Sequence, residues 1–186
     1  MRFVKNAFLV FVLGAWGCAH AADKQPPTDP ASNPVMQALF DADQTDRQVR
    51  PFRPDIMAAD QKRREQTASL LADGKLQTAD DYYEAAFVFQ HGDTSDDYLL
   101  AHILAMVAVA KGKQKALWIS AATLDRYLQK IGQKQILGTQ YRRDHGTPWT
   151  QEPYDRVLIS DALRKTLGVI TQAEQEIALK DMLEKK

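Results

Sequence analysis

Apolar residues along this chain gather between Asp80 and Tyr141, and within that stretch Leu99 to Ala110 is apolar at every position except His102. A helix that is apolar all round is a buried one. Spanning a bilayer takes about 20 apolar residues, more than this run has, so its cover is expected from other helices of the same chain. His102 is then an inside residue. An imidazole buried without a hydrogen bond costs on the order of 1 to 3 kcal/mol, so it needs a partner.

Helix ends indicate where that partner lies. His91-Gly92 closes one helix, and Thr94 with Asp97 forms a capping box that opens the central one. Lys111-Gly112 closes the central helix, and Gln114 to Lys130 reads as the next, ended by Gly132. Short connections make successive helices antiparallel neighbours, so residues equidistant from a turn face one another. Counting out from Gly112 sets His102 level with Ala122, with Asp125 one turn beyond on the same stripe, roughly 4.5 Å along the axis. The expectation is a pair between His102 and Asp125. The same counting puts His91 roughly 9 Å out of step with His102, which makes the two histidines a poor metal pair.

The flanking pattern extends the helical reading. Asn33 and Pro34 supply a cap and a first-turn proline for a helix to about Thr45, with Met36, Leu39 and Phe40 inward. Asp55 opens a longer helix to about Asp73, whose polar middle of Asp60, Lys62, Arg63, Arg64 and Glu65 reads as a solvated face. From Thr78 to Gln90, Tyr82, Ala85, Ala86 and Phe89 form one stripe, widened by Tyr83 and Phe87, that belongs in a core. Residues 135–141 include Gly138 and Thr139 and lack a helical period, as an extended loop or short strand would. Asp155 to Leu167 reads as helix with Leu158, Ile159, Ala162 and Leu163 inward, and Thr171 with Glu174 caps a last helix that packs through Ile177 and Met182.

The sum is an all-α chain of six or seven helices in a compact array of antiparallel hairpins, with a short extended segment near 135–141. Thr78 to Lys111 has the 34-residue length of a tetratricopeptide unit, but it does not recur, so the likeness is loose.

Composition adds an address. Residues 1–21 carry Arg2 and Lys5, an apolar run from Ala7 to Leu13, and Ala19-His20-Ala21 as a cleavage site, the form of a secretory signal peptide. Lipidation at Cys18 is the competing reading, and Ala15-Trp16-Gly17 suits it poorly. Residues 22–33, rich in proline, read as a disordered tether, leaving 34–186 as one helical domain. Cys18 is the only cysteine, so the exported chain would have neither disulfide nor thiol chemistry. Taking Arg2 and Lys5 from 24 basic residues leaves 22 against 24 acidic, a net charge of minus 2. That balance suggests neither nucleic acid nor an anionic membrane as partner.

The chain has no G-x-S-x-G elbow, no P-loop, no H-E-x-x-H helix and no acidic calcium loop. No cofactor or metal is implied. His102 is either a core imidazole satisfied by Asp125 or a backbone carbonyl, or a general base oriented by Asp125. His91 is either a helix C-terminal residue bonding the last carbonyls, or the rim of a pocket with Gln90. Asp125-Arg126 reads as a buried carboxylate beside a salt-bridging arginine, with Arg126 also a candidate anion clamp. Gln135, Thr139 and Gln140 either line a cleft or satisfy their own loop.

Q-H-G at Gln90 to Gly92, A-H at Ala101-His102, L-D-R at Leu124 to Arg126 and Q-x-x-G-T-Q at Gln135 to Gln140 resemble the motif order of a bacterial domain family of unknown function. Asp43-Gln44 with Arg47 is a weaker opening motif, and the resemblance runs from about Leu39 to Val169. It implies that these polar residues form the family's common feature and brings no activity with it.

The leading functional expectation is a non-catalytic periplasmic domain that binds a protein or small molecule at a groove lined by His91, Arg126, Thr139 and Gln140. An immunity or inhibitor protein is one concrete version. The rival is a hydrolase or transferase using His102 and Asp125, with Arg126 or Gln140 stabilising negative charge. A third is a purely structural envelope protein.

Overall fold

The structure, a computed structural model, describes residues 30–51 and 54–184. The expected signal peptide and most of the expected tether lie outside those residues. Among the described residues there are seven helices and no strand: α1 (Pro34–Gln48), α2 (Ile56–Ala72), α3 (Ala79–Phe89), α4 (Ser95–Ala110), α5 (Ala116–Lys130), α6 (Asp161–Thr166) and α7 (Gln172–Glu184). No described helix is long and apolar enough to cross a membrane.

The caps are where the sequence puts them. Asn33 accepts from the amides of Val35 and Met36, and Thr94 and Asp97 exchange the reciprocal bonds of a capping box. Thr78 with Asp81 makes another such box, and Asp81 also accepts from the Asn33 amide at 2.6 Å, tying the start of α1 to the start of α3. Gly92 ends α3 for reasons of space. A β-carbon there would collide with the side chain of Asp97 as it caps α4.

α4 packs between α3 and α5, α1 lies on α3, and α2 lies against both α1 and α3. Small inward residues set these close approaches: Ala85 and Ala86 on α3, Ala101, Ala105 and Ala108 on α4, Ala116 and Ile119 on α5. The aromatic stripe of α3 is core as expected, with Tyr83 and Phe87 packed on Phe40 of α1 at centroid distances of 6.0 and 5.6 Å.

Three expectations require correction. α4 is not buried all round: Leu99, Ile103 and Met106 stand 36, 49 and 54% exposed, because only the stripe of Ala101, Leu104, Ala105 and Ala108 is fully buried in the core. The sixth helix is six residues long and begins at Asp161, because the Asp155 carboxylate accepts from the amides of Val157 and Leu158 and turns the chain before Ser160 caps it. Leu158, Leu163 and Ile177 are accordingly exposed. Residues 135–141, by contrast, form the ordered loop expected there, which touches Tyr154 by one isolated bridge at Gln135.

Candidate functional site

Two polar centres are buried in the fold, one at Asp43 and Asp60 and one at Asp125, and neither is the pair that the spacing suggested. His102 shares its Nδ1 with the carbonyl of Ser120 at 2.9 Å, half-buried on α4. Asp125 lies five residues further along α5, roughly 140° around the helix at 3.6 residues per turn, and so faces elsewhere. Its Oδ1 accepts from the amides of Ile136 and Leu137, and its Oδ2 from the amide and hydroxyl of Thr139, all at 2.8 to 3.0 Å. The acid-base pair of His102 and Asp125 is therefore absent. Asp125 is a knot that holds the loop after α5.

That loop is packed by glutamines. Gln135 donates to the carbonyls of Gln140 and Gln151 and accepts from the Gln140 amide. Gln151 donates to the Gly138 carbonyl at 2.7 Å, and Gln175, held by the Tyr154 hydroxyl, donates to Leu137. Gly138 has φ +79°, and a β-carbon would strike Gln175 and Tyr154, so only glycine fits. Gln135 and Thr139 satisfy the loop rather than a cleft.

The other centre is ionic. α1 contributes Asp43 and Arg47 at i, i+4, α2 contributes Asp60 and Arg63 at i, i+3, and the residue after α3 and its cap contributes His91. The polar middle of α2 is thus partly buried rather than a solvated face: Asp60 and Arg63 are each 7% exposed. Their partners lie on α1, out of reach of any local pattern. Arg47 donates to Asp60 at 2.7 Å and Arg63 to Asp46 at 2.9 Å and to Asp60. Burial pushes the Asp60 carboxyl up, but hydrogen bonds and charge from Arg47 and Arg63 outweigh it and hold the group below the usual carboxylate range.

Asp43 is fully buried and accepts from Gln44 Nε2 at 2.9 Å. His91 Nδ1 meets its Oδ1 at 2.8 Å, and Arg64 donates to the His91 carbonyl at 2.8 Å. Arg47 Nη1 and Arg63 Nε have no hydrogen-bond acceptor among the described residues, although Arg47 Nη2 and Arg63 Nε each stand 3.8 Å from Asp43 Oδ1. Asp43, Asp60 and His91 offer donor atoms within 4.8 Å of one another, the makings of a cation site. The guanidinium groups of Arg47 and Arg63 already stand on both oxygens of Asp60 and supply the positive charge.

A cleft of about 290 Å³ opens beside α5, lined by Tyr98, Arg126, Gln129, Lys130, Gln140, Tyr141 and Arg142. Arg126 does not pair with Asp125, whose oxygens are committed to the loop. Its Nε and the Nε2 of Gln129 are sealed without an acceptor. Burial lowers the Arg126 pKa, Tyr98 opposes that, and the like charge of Arg47 adds to it. Gln140 lines the cleft while its amide donates to the Ala122 carbonyl, whereas His91 and Thr139 do not line it.

Sequence reasoning found Arg126, Gln140 and His91 but paired the wrong acid with the wrong histidine. The signal for the ionic centre was the spacing of Asp43, Gln44 and Arg47, which sets acid and base on one face of α1. Gln90, buried beside His91, joins neither the cleft nor the ionic contacts. No family model, curated protein or solved structure matches the chain.

Proposed function

We propose that this chain is an exported helical domain of the cell envelope whose cleft over Arg126 binds a ligand without transforming it, by seating an anionic group of that ligand. One observation carries the reading: the cleft wall holds Arg126, Lys130 and Arg142 and no carboxylate, and Arg126 is the most deeply set of the three. A buried guanidinium without a counter-charge is unfavourable, and an entering carboxylate or phosphate supplies that charge. The leader-like residues 1–21 support the envelope address, and an immunity or inhibitor protein that accepts an acidic group of its partner fits the same chemistry.

Calorimetric titration of the purified chain with inorganic phosphate and with citrate tests this. Saturable binding, weakened about tenfold or more by Arg126→Gln, is the expected result. An affinity that the substitution leaves unchanged, or no binding of either anion, refutes it.

A further inference from the structure

A second site is built around His91, apart from the Arg126 cleft. Asp43, sealed from water, already accepts from Gln44 and faces Arg47 and Arg63 at 3.8 Å, so it acts as an acceptor toward His91 as well. Nδ1 of His91 then carries the proton, and the lone pair lies on Nε2. The ring is 18% exposed, and Nε2 has no hydrogen-bond partner among the described residues. Arg64 fixes the backbone at the same residue through its bond to the His91 carbonyl.

His102 is the internal contrast. It is oriented by the carbonyl of Ser120, a neutral group that fixes a ring but does not balance an imidazolium. Only His91 has a buried carboxylate behind it and an open nitrogen in front.

We propose that His91 is an acid-base residue, with Asp43 as its positioning partner, acting through Nε2 on an ester that water attacks. Water is the nucleophile because no hydroxyl among the described residues bonds to the His91 ring, whose one partner is Asp43. As the water oxygen bonds to the acyl carbon or phosphorus, one water proton passes to Nε2. The ester bond to the leaving oxygen then breaks, and Nε2 returns that proton to it, so one ester and one water give one acid and one alcohol. Arg47 and Arg63 lie on the Asp43 side, behind the ring, and hold the Asp43 carboxylate in place toward Nδ1.

Two measurements on the full chain decide the matter. Long-range nitrogen-proton NMR of the wild type reads the tautomer, with Nδ1 protonated and Nε2 bare as the expected result. Hydrolysis of p-nitrophenyl acetate and bis(p-nitrophenyl) phosphate is then compared among wild type, His91→Gln and Asp43→Asn. At least one probe turns over faster in wild type than in His91→Gln, on the order of 100-fold, with Asp43→Asn also slow and its tautomer reversed. An Nε2-protonated ring in the wild type, or rates on both probes equal to those of His91→Gln, overturns the proposal. The NMR result stands even where a variant fails to fold.

Discussion

Asp43 and Asp125 are both sealed from water, yet they are satisfied in opposite ways. Asp125 takes four hydrogen bonds from neutral amides and a hydroxyl of one loop, which fill both its oxygens and leave nothing over. Asp43 sits among Arg47, Arg63 and His91, in a centre where two guanidinium N–H groups have no acceptor and one imidazole edge reaches solvent. A closed set of donors is the mark of a fastening. A surplus of donors with an open ring nitrogen is the mark of a place where something else arrives.

The comparison can be broken most directly at its closed end. Asp125→Ala strands four donors that nothing else can reach, and should cost about 4 kcal/mol, read as a lowered urea midpoint, with the loop of residues 135–141 released. A loss under about 1 kcal/mol would show that the loop is held by its glutamines instead.

The ionic end should respond to acid. The Asp60 carboxyl is held below its usual range, so its stabilisation is complete above that range and disappears as pH falls through the depressed value. Asp60→Asn should therefore cost about 2 to 3 kcal/mol at pH 7, and the gap between variant and wild type should close as pH falls below the usual carboxylate range. A gap that is independent of pH would mean that packing rather than charge holds the centre.

Glu84 gives the smallest effect and the opposite sign. Burial, with Asp80, Asp81 and Asp41 nearby and Lys113 opposing, raises its pKa to about 7, and its Oε2 has no partner. A carboxyl raised in the folded state contributes stability that is present below about pH 4.5 and lost as pH rises through 7. Glu84→Gln should remove that slope and gain on the order of 1 kcal/mol at pH 8, once solvent screening is allowed for. Thermal melts from pH 4 to 8 will show it.

Much of this architecture was legible, and the reasons are local. Asn33, Thr78 and Thr94 cap helices through residues two or three positions away, and the Tyr82 to Phe89 stripe repeats within one helix. The candidate site was legible in its parts. Arg126 and His91 stood out as polar residues in apolar surroundings, but their partners did not. Asp60 and Arg63 looked like a wet face because a charge on a helix carries no mark of the opposite charge that will cover it.

By itself the sequence determined where most helices begin and end, the sixth excepted, and which α3 stripe turns inward, since caps and a 3.6-residue period act over a turn or two. Only the tertiary structure decided that His91 meets Asp43, 48 residues away, while His102 rests on a carbonyl and Asp125 faces a loop. The physical reason is angular. A few residues of offset swing a side chain to the far side of its helix, and packing among α1, α2 and α3 settles which way each one points.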